Sequence, residues 1–223
     1  MAGHMRAIDD SLGRRAVLPL PRRSPLRAEA RAGLRIAAGV VASLVLGLGS
    51  LYLAVRPGMA GGEIANGPWR TSFVTGSPQA DVYTRARVAV DLLLALSAPE
   101  SLYYTAATDS EGRPLDARCE YVLAGGELPA RWWSLTSYGP DRFLIPNAAG
   151  RYSFSRTSVT STPEGAWQAH VSRQLEPGNW LPSGPPGSEG SFTLTLRLFD
   201  PAPIATESPR SIALPLVLRE ACS

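Results

Sequence analysis

The stretch Phe192-Thr193-Leu194-Thr195-Leu196-Arg197-Leu198-Phe199 governs how the downstream part of this chain folds. Apolar side chains take every second position, and Thr193, Thr195 and Arg197 fill the gaps. Successive side chains of a strand point to opposite faces, so Phe192, Leu194, Leu196 and Leu198 are expected on a buried face and the polar set on a wet one. Such alternation belongs to an antiparallel sheet with one solvated side.

Shorter segments of the same kind precede it, each bounded by turn residues, which is the all-β pattern. Residues 102–108 run into Asp109-Ser110-Glu111-Gly112, and the chain then reverses through Cys119 to Leu123. Gly125-Gly126 breaks the pattern, residues 131–138 form another strand, and Gly139-Pro140-Asp141 is a turn. One helix is expected ahead of these strands. Ser77 is a suitable N-cap, Pro78 suits the first helical position and Pro99 ends it. Val82, Ala86, Ala89, Val90, Leu93 and Leu96 form its apolar face, which must pack on the strands, and Arg87 and Asp91 pair on its surface. The expected architecture is mainly β: a two-layer antiparallel β-sandwich with one packed N-terminal helix, over residues 77–223.

Upstream, residues 36–55 contain no Asp, Glu, Lys or Arg, and 20 residues is about what a helix needs to cross a bilayer. Residues 1–35 carry eight arginines against three acids. Basic flanks stay on the cytoplasmic side, so the expectation is a basic cytoplasmic tail (1–35), a transmembrane helix (36–55), a Gly-rich linker (56–76) and a periplasmic domain at the bacterial inner membrane. The competing reading is a cleavable signal, with small residues at Ala60, Gly61 and Gly62; the length of the charged tail and of the apolar run favours an uncleaved anchor.

All 22 basic residues are arginine. Those beyond the tail number 14, against 16 acids, so the exported part has a net charge of about −2 and lacks the electrostatic basis for nucleic-acid binding. Cys119 and Cys222 both fall in the exported part, where an even count favours a disulfide.

Catalytic and metal signatures do not emerge. His170 is the only histidine outside the tail, too few for a zinc site and without a Gly-x-Ser-x-Gly elbow to serve a relay, and reads as a surface residue of a strand. Asp109, Glu111, Asp116 and Glu120 gather on one hairpin, but their spacing is not that of a calcium loop. No metal and no cofactor are expected. Aromatic residues remain. Trp132 and Trp133 are adjacent in one strand, so Trp133 is expected in the core with Leu135, and Trp132 on the other face with Ser134, Thr136 and Tyr138. An aromatic beside hydroxyls suits a carbohydrate or peptide surface. Trp180, in Asn179-Trp180-Leu181-Pro182, reads as a plug over the sandwich edge.

The strings from Asp109 to Asp116, from Leu128 to Gly139 (with Arg131-Trp132-Trp133-Ser134-Leu135), from Phe143 to Asn147, from Asn179 to Pro182 and from Phe192 to Pro201 together resemble the domain of unknown function family 1214, over roughly residues 80–222. The resemblance implies a jelly-roll-like sandwich in a membrane-anchored protein of proteobacterial type. It also implies a companion domain of family 1254 supplied by another protein. It carries no catalytic residues. Arg131, Asn147, Arg151, Tyr152, Asn179 and Trp180 stand in or beside these strings, either as a polar pocket at one end of the sandwich or as turn and edge residues. With Trp132 and Tyr138 they are the candidate surface for a ligand or partner. The expected function is a non-catalytic module that binds a partner protein or an envelope polymer. The alternative is an enzyme acting on an envelope carbohydrate or lipid-linked substrate, which demands a cleft lined by two carboxylates about 5–10 Å apart.

Overall fold

The computed structural model describes residues 25–55, 63–90 and 95–222. It divides into two units, 1–49 and 50–223. The first helix, α1 (Pro25–Val55), is 31 residues long, about 46 Å at 1.5 Å per residue. Its apolar stretch 29–53 is long enough to cross a membrane, and Leu34, Ile36, Val45 and Leu46 are all exposed. The helix begins ahead of the apolar run, at Pro25, because residues 26–35 are mostly Ala, Arg, Leu and Glu, which are good helix formers.

The rest is mainly β. In chain order it holds β1 (Ile64–Asn66), β2 (Trp69–Thr71), α2 (Val82–Val90), β3 (Ser101–Ala106), β4 (Cys119–Gly125), β5 (Ala130–Tyr138), β6 (Ser153–Ser155), β7 (Trp167–Ser172), β8 (Trp180–Pro182), β9 (Thr193–Pro201), α3 (Pro203–Glu207) and β10 (Leu216–Cys222). Two sheets form: a six-stranded one in the order β1-β2-β3-β9-β5-β6, and a four-stranded one in the order β10-β4-β7-β8. The alternation in β9 acts as expected. Phe192, Leu194, Leu196 and Leu198 are at most 1% exposed. They share one apolar core with Tyr121, Leu123, Ala169 and Val171 of the four-stranded sheet. Trp133 of β5 stacks on Trp167 of β7 at 5.3 Å, and Phe154 of β6 meets both edge-on, so the core lies between the two sheets.

Three expectations need correction. The stretch 56–76 is not a linker throughout: β1 and β2 form a hairpin over Gly67-Pro68, β2 joins β3, and Trp69 is fully buried with its indole N–H on the Pro215 carbonyl at 2.7 Å. Residues 56–62 lie outside the described residues. The helix starts later than Ser77, which instead holds a turn through the Ala80 amide. Asp81 is its cap, with Oδ1 accepting from the amides of Tyr83 (2.8 Å) and Thr84 (3.0 Å). None of its described residues is buried, and Val82 is 72% exposed, so an apolar spacing did not become a packed face. Arg87 pairs with Glu63 at 2.7 Å, while residues 91–94, with Asp91 and Leu93, lie outside the described residues.

The strand β4 ends at Gly125, where the Gly125-Gly126 pair is expected to break the pattern. Gly125 pairs with Trp167, and a Cβ there would sit 2.2 Å from that indole, so glycine makes room for the ring. Finally, β7 and β8 are parallel. A long crossover is unnecessary because β8 retreats only to the level of His170, where the Asn179 carbonyl accepts from the His170 amide at 2.9 Å.

Candidate functional site

The outward face of the six-stranded sheet gathers the chemistry. On β5, Trp132, Ser134, Thr136 and Tyr138 alternate with the core residues Trp133 and Leu135. Register sets them beside β9: Trp132 opposite Phe199, Ser134 opposite Arg197, Thr136 opposite Thr195 and Tyr138 opposite Thr193. Across β9, Tyr103 and Thr105 of β3 face Arg197 and Thr195, and on the far side Ser155 and Ser153 of β6 face Ser134 and Thr136. A field of hydroxyls therefore surrounds one guanidinium.

Arg197 is half-buried. Its Nη1 donates to Thr136 Oγ1 at 3.3 Å, its Nη2 donates to the Tyr138 hydroxyl at 2.7 Å, and its Cζ lies 5.6 Å from the Tyr138 ring centre. Ser134, Thr136 and Thr195 are less than 10% exposed although they face away from the core, as expected of small side chains beside larger neighbours such as Arg197 and Tyr138. Trp132 closes one end, tilted on Phe199 at 5.2 Å. At the other, Arg142, held with φ 68° in the turn after β5, donates to the Val90 carbonyl at 2.8 Å. The Tyr103 hydroxyl accepts from the Leu96 amide at 3.0 Å.

The other sequence-predicted residues divide differently. Arg131 is 80% exposed by side chain and pairs with Asp200 at 3.2 Å. Asn147 closes its own turn: Nδ2 donates to the carbonyls of Ile145 and Arg151, and Oδ1 accepts from the Arg151 amide. Arg151 reaches the Gly178 carbonyl at 2.5 Å, and Asn179 binds the Thr160 amide and the carbonyls of Thr160 and Gln168. These three spend polar atoms on backbone, which is loop-closing chemistry. Tyr152 is 37% exposed. Trp180 is 2% exposed, with its indole N–H on Ser172 Oγ at 3.0 Å, and so forms part of the interior. His170 is half-buried on β7. Alternation places Arg197 on the polar side of its strand without marking it as part of a site; its one signal is a lone cation in an otherwise Thr and Leu strand.

The acidic hairpin is a structural node. Asp109, 1% exposed, accepts from the amides of Glu111 and Arg113, and pairs with Arg113 Nε at 2.8 Å and Arg219 Nε at 3.1 Å. Burial pushes its pKa up, but the Arg113 amide and guanidinium and the Glu111 amide outweigh this and hold it below the ordinary carboxylate value. The Arg118 side chain, then its amide, hold Asp116 at about 2. Among the described residues no group of three His, Cys, Asp or Glu side chains is arranged to hold a metal. A shallow apolar depression of about 340 Å³ is lined by Glu127, Leu128, Pro129, Ile204, Ile212 and Ala213, with one acid, itself 3.6 Å from Arg156. The disulfide Cys119–Cys222 joins β4 to the end of β10, across a sequence separation of 103.

Residues 100–203 match the family described as Protein of unknown function (DUF1214). No curated protein matches the chain. Its fold is similar to the crystal structure of the VPA0106 protein from Vibrio parahaemolyticus, with a TM-score of 0.51 at 23% identity, over 64% of this chain and 36% of that one. An uncharacterised protein from Burkholderia cenocepacia gives a TM-score of 0.37 at 17% identity, over 67% of this chain and 45% of that one. The chain thus spans less than half the length of either protein.

Proposed function

We propose that this protein is a non-catalytic binding module, tethered to the bacterial inner membrane by residues 36–55 with its amino terminus in the cytoplasm. Its periplasmic domain, a jelly-roll-like β-sandwich, captures an envelope polymer or a partner protein such as one carrying the family 1254 domain. The membrane assignment draws on a helix of sufficient length behind an arginine-rich tail. The compartment draws on the disulfide, which suits an oxidising environment.

One observation carries the binding role: the outer face of the six-stranded sheet, where Trp132, Ser134, Thr136, Tyr138 and Arg197 adjoin in register. Hydroxyls, a guanidinium and aromatic edges recognise a ligand by hydrogen bonds and stacking, while a reaction needs a poised acid, base or nucleophile. The carboxylates of Asp109, Glu111, Asp116, Asp200, Glu63 and Glu127 are each held in ion pairs with arginine.

The test is mass spectrometry of what co-purifies with the full chain, gently extracted from its native membrane, compared with Trp132→Ala. A stoichiometric companion that the variant loses, with an unchanged melting temperature, is expected. Identical companions in both would remove the face from the function. For topology, protease added to intact spheroplasts should digest the domain and spare the tail; a protected domain would reverse the orientation.

A further inference from the structure

We infer that the ligand of this face is an acidic polysaccharide whose carboxylate groups are bound by Arg197. The inference rests on the reading of the face as a binding surface and names what that surface selects.

A guanidinium has five N–H donors. Arg197 uses one on Thr136 and one on Tyr138, and its remaining donors have no acceptor among the described residues. It has no carboxylate partner among them either; arginines 87, 113, 118, 131, 156 and 219 each have one, while Arg85 and Arg151 bond to backbone carbonyls instead. A guanidinium with donors left over can pair with an anionic group by charge-assisted hydrogen bonds. Arg70 repeats the pattern. It lies on the same face opposite Thr105, donates only to the carbonyls of Gly67 and Trp69, and also lacks a carboxylate among the described residues. By strand spacing its Cα is roughly 12 Å from that of Arg197, so the face presents two cations to a ligand that repeats its acidic group.

The surroundings favour sugar over acidic peptide. The hydroxyls of Ser153, exposed, and Thr193, half-buried, make no hydrogen bond with any described group, and each can both donate and accept, as sugar hydroxyls require. Trp132 offers a ring edge two residues from Ser134, within reach of the same ligand. A peptide joining the sheet would need a free strand edge, whereas β9 is paired on both sides by β3 and β5.

The test is calorimetric titration of the full chain in detergent with short oligomers of galacturonic or mannuronic acid, with their methyl esters, and with poly-L-glutamate. The acid oligomers should bind, weakening as salt rises, and the esters should bind at least roughly tenfold more weakly, as loss of one charge-assisted pair predicts. Arg197→Gln should reduce the acid oligomers to the level of the esters, and Arg197→Lys should fall between. The ester comparison uses the unaltered protein, so it stands even where the Gln variant folds poorly. Equal binding of acid and ester, unchanged in Arg197→Gln, would overturn the charge selection while leaving the face a binding surface. Tighter binding of poly-L-glutamate would replace the polysaccharide with an acidic peptide. No binding of any probe would overturn the inference, and the co-purification comparison would then judge the face separately.

Discussion

Asp109 is almost fully enclosed and still charged, because two amides and the Arg113 guanidinium donate to its carboxylate and Arg219 forms a second ion pair with it. Removing one partner of such a pair leaves the others uncompensated, so Asp109→Ala should lower the unfolding free energy by about 3 kcal/mol in urea titration. Gly125→Ala belongs to the same scale. Its methyl would meet the Trp167 ring and disturb the Trp133–Trp167–Phe154 stack, with an expected loss of about 2 kcal/mol and a changed near-UV dichroism. The two adjacent tryptophans should respond unequally. Trp133→Ala empties a core position and should cost about 4 kcal/mol, whereas Trp132→Ala should move stability far less. That asymmetry was legible from alternation alone. The role of Gly125 was not, since a glycine in a strand gives no sign of which ring lies over it.

At the level of elements, β10 is the terminal strand of the four-stranded sheet, and its free edge is already engaged. The Val217 amide donates to Ser110 Oγ and its carbonyl accepts from the Ser110 amide, both at 2.9 Å, which blocks edge-to-edge pairing there. Arg219 donates to the Pro114 carbonyl and lies over the Tyr121 ring at 5.4 Å, and Cys222 is bonded to Cys119. Reduction should therefore cost about 4 kcal/mol by loop-closure entropy, and thiol labelling of the unreduced protein should modify neither cysteine. Labelling of both would refute the pairing. For α2, Asp81→Ala should raise amide exchange at Tyr83 and Thr84 without altering exchange in β9, since the cap serves only the helix start. The strands β3, β4, β5, β7 and β9 could be read in the sequence because each carries its own alternation or turn, whereas β6, β8 and β10 carry no such pattern of their own. The hairpin β1–β2 could not: two three-residue strands in a Gly-rich stretch leave too short a pattern, and Trp69 becomes a core residue only through β3.

For the whole molecule, stability should fall on both sides of neutrality, for separable reasons. Asp109 and Asp116 are more acidic folded than unfolded, so their contribution is complete above about pH 4 and lost as pH falls below it, for Asp116 towards about 2. Tyr104 is pushed up to about 12 by burial, so its contribution is complete below about pH 10 and lost as pH rises towards about 12. Thermal melts across that range check both arms, and Tyr104→Phe should flatten the alkaline one alone. The mainly β class, the apolar helix, the cysteine pair and the division of β5 and β9 into core and outward faces all stood in the chain's own order of residues. Each follows from local periodicity or from counting, which the physics of alternating side chains makes readable along one strand. Three features came from the assembled fold instead: Arg197 stands among hydroxyls from neighbouring strands, its partners are Thr136 and Tyr138, and Trp180 is interior. Strand order and register set those neighbours, and both are fixed by contacts between residues far apart in the chain.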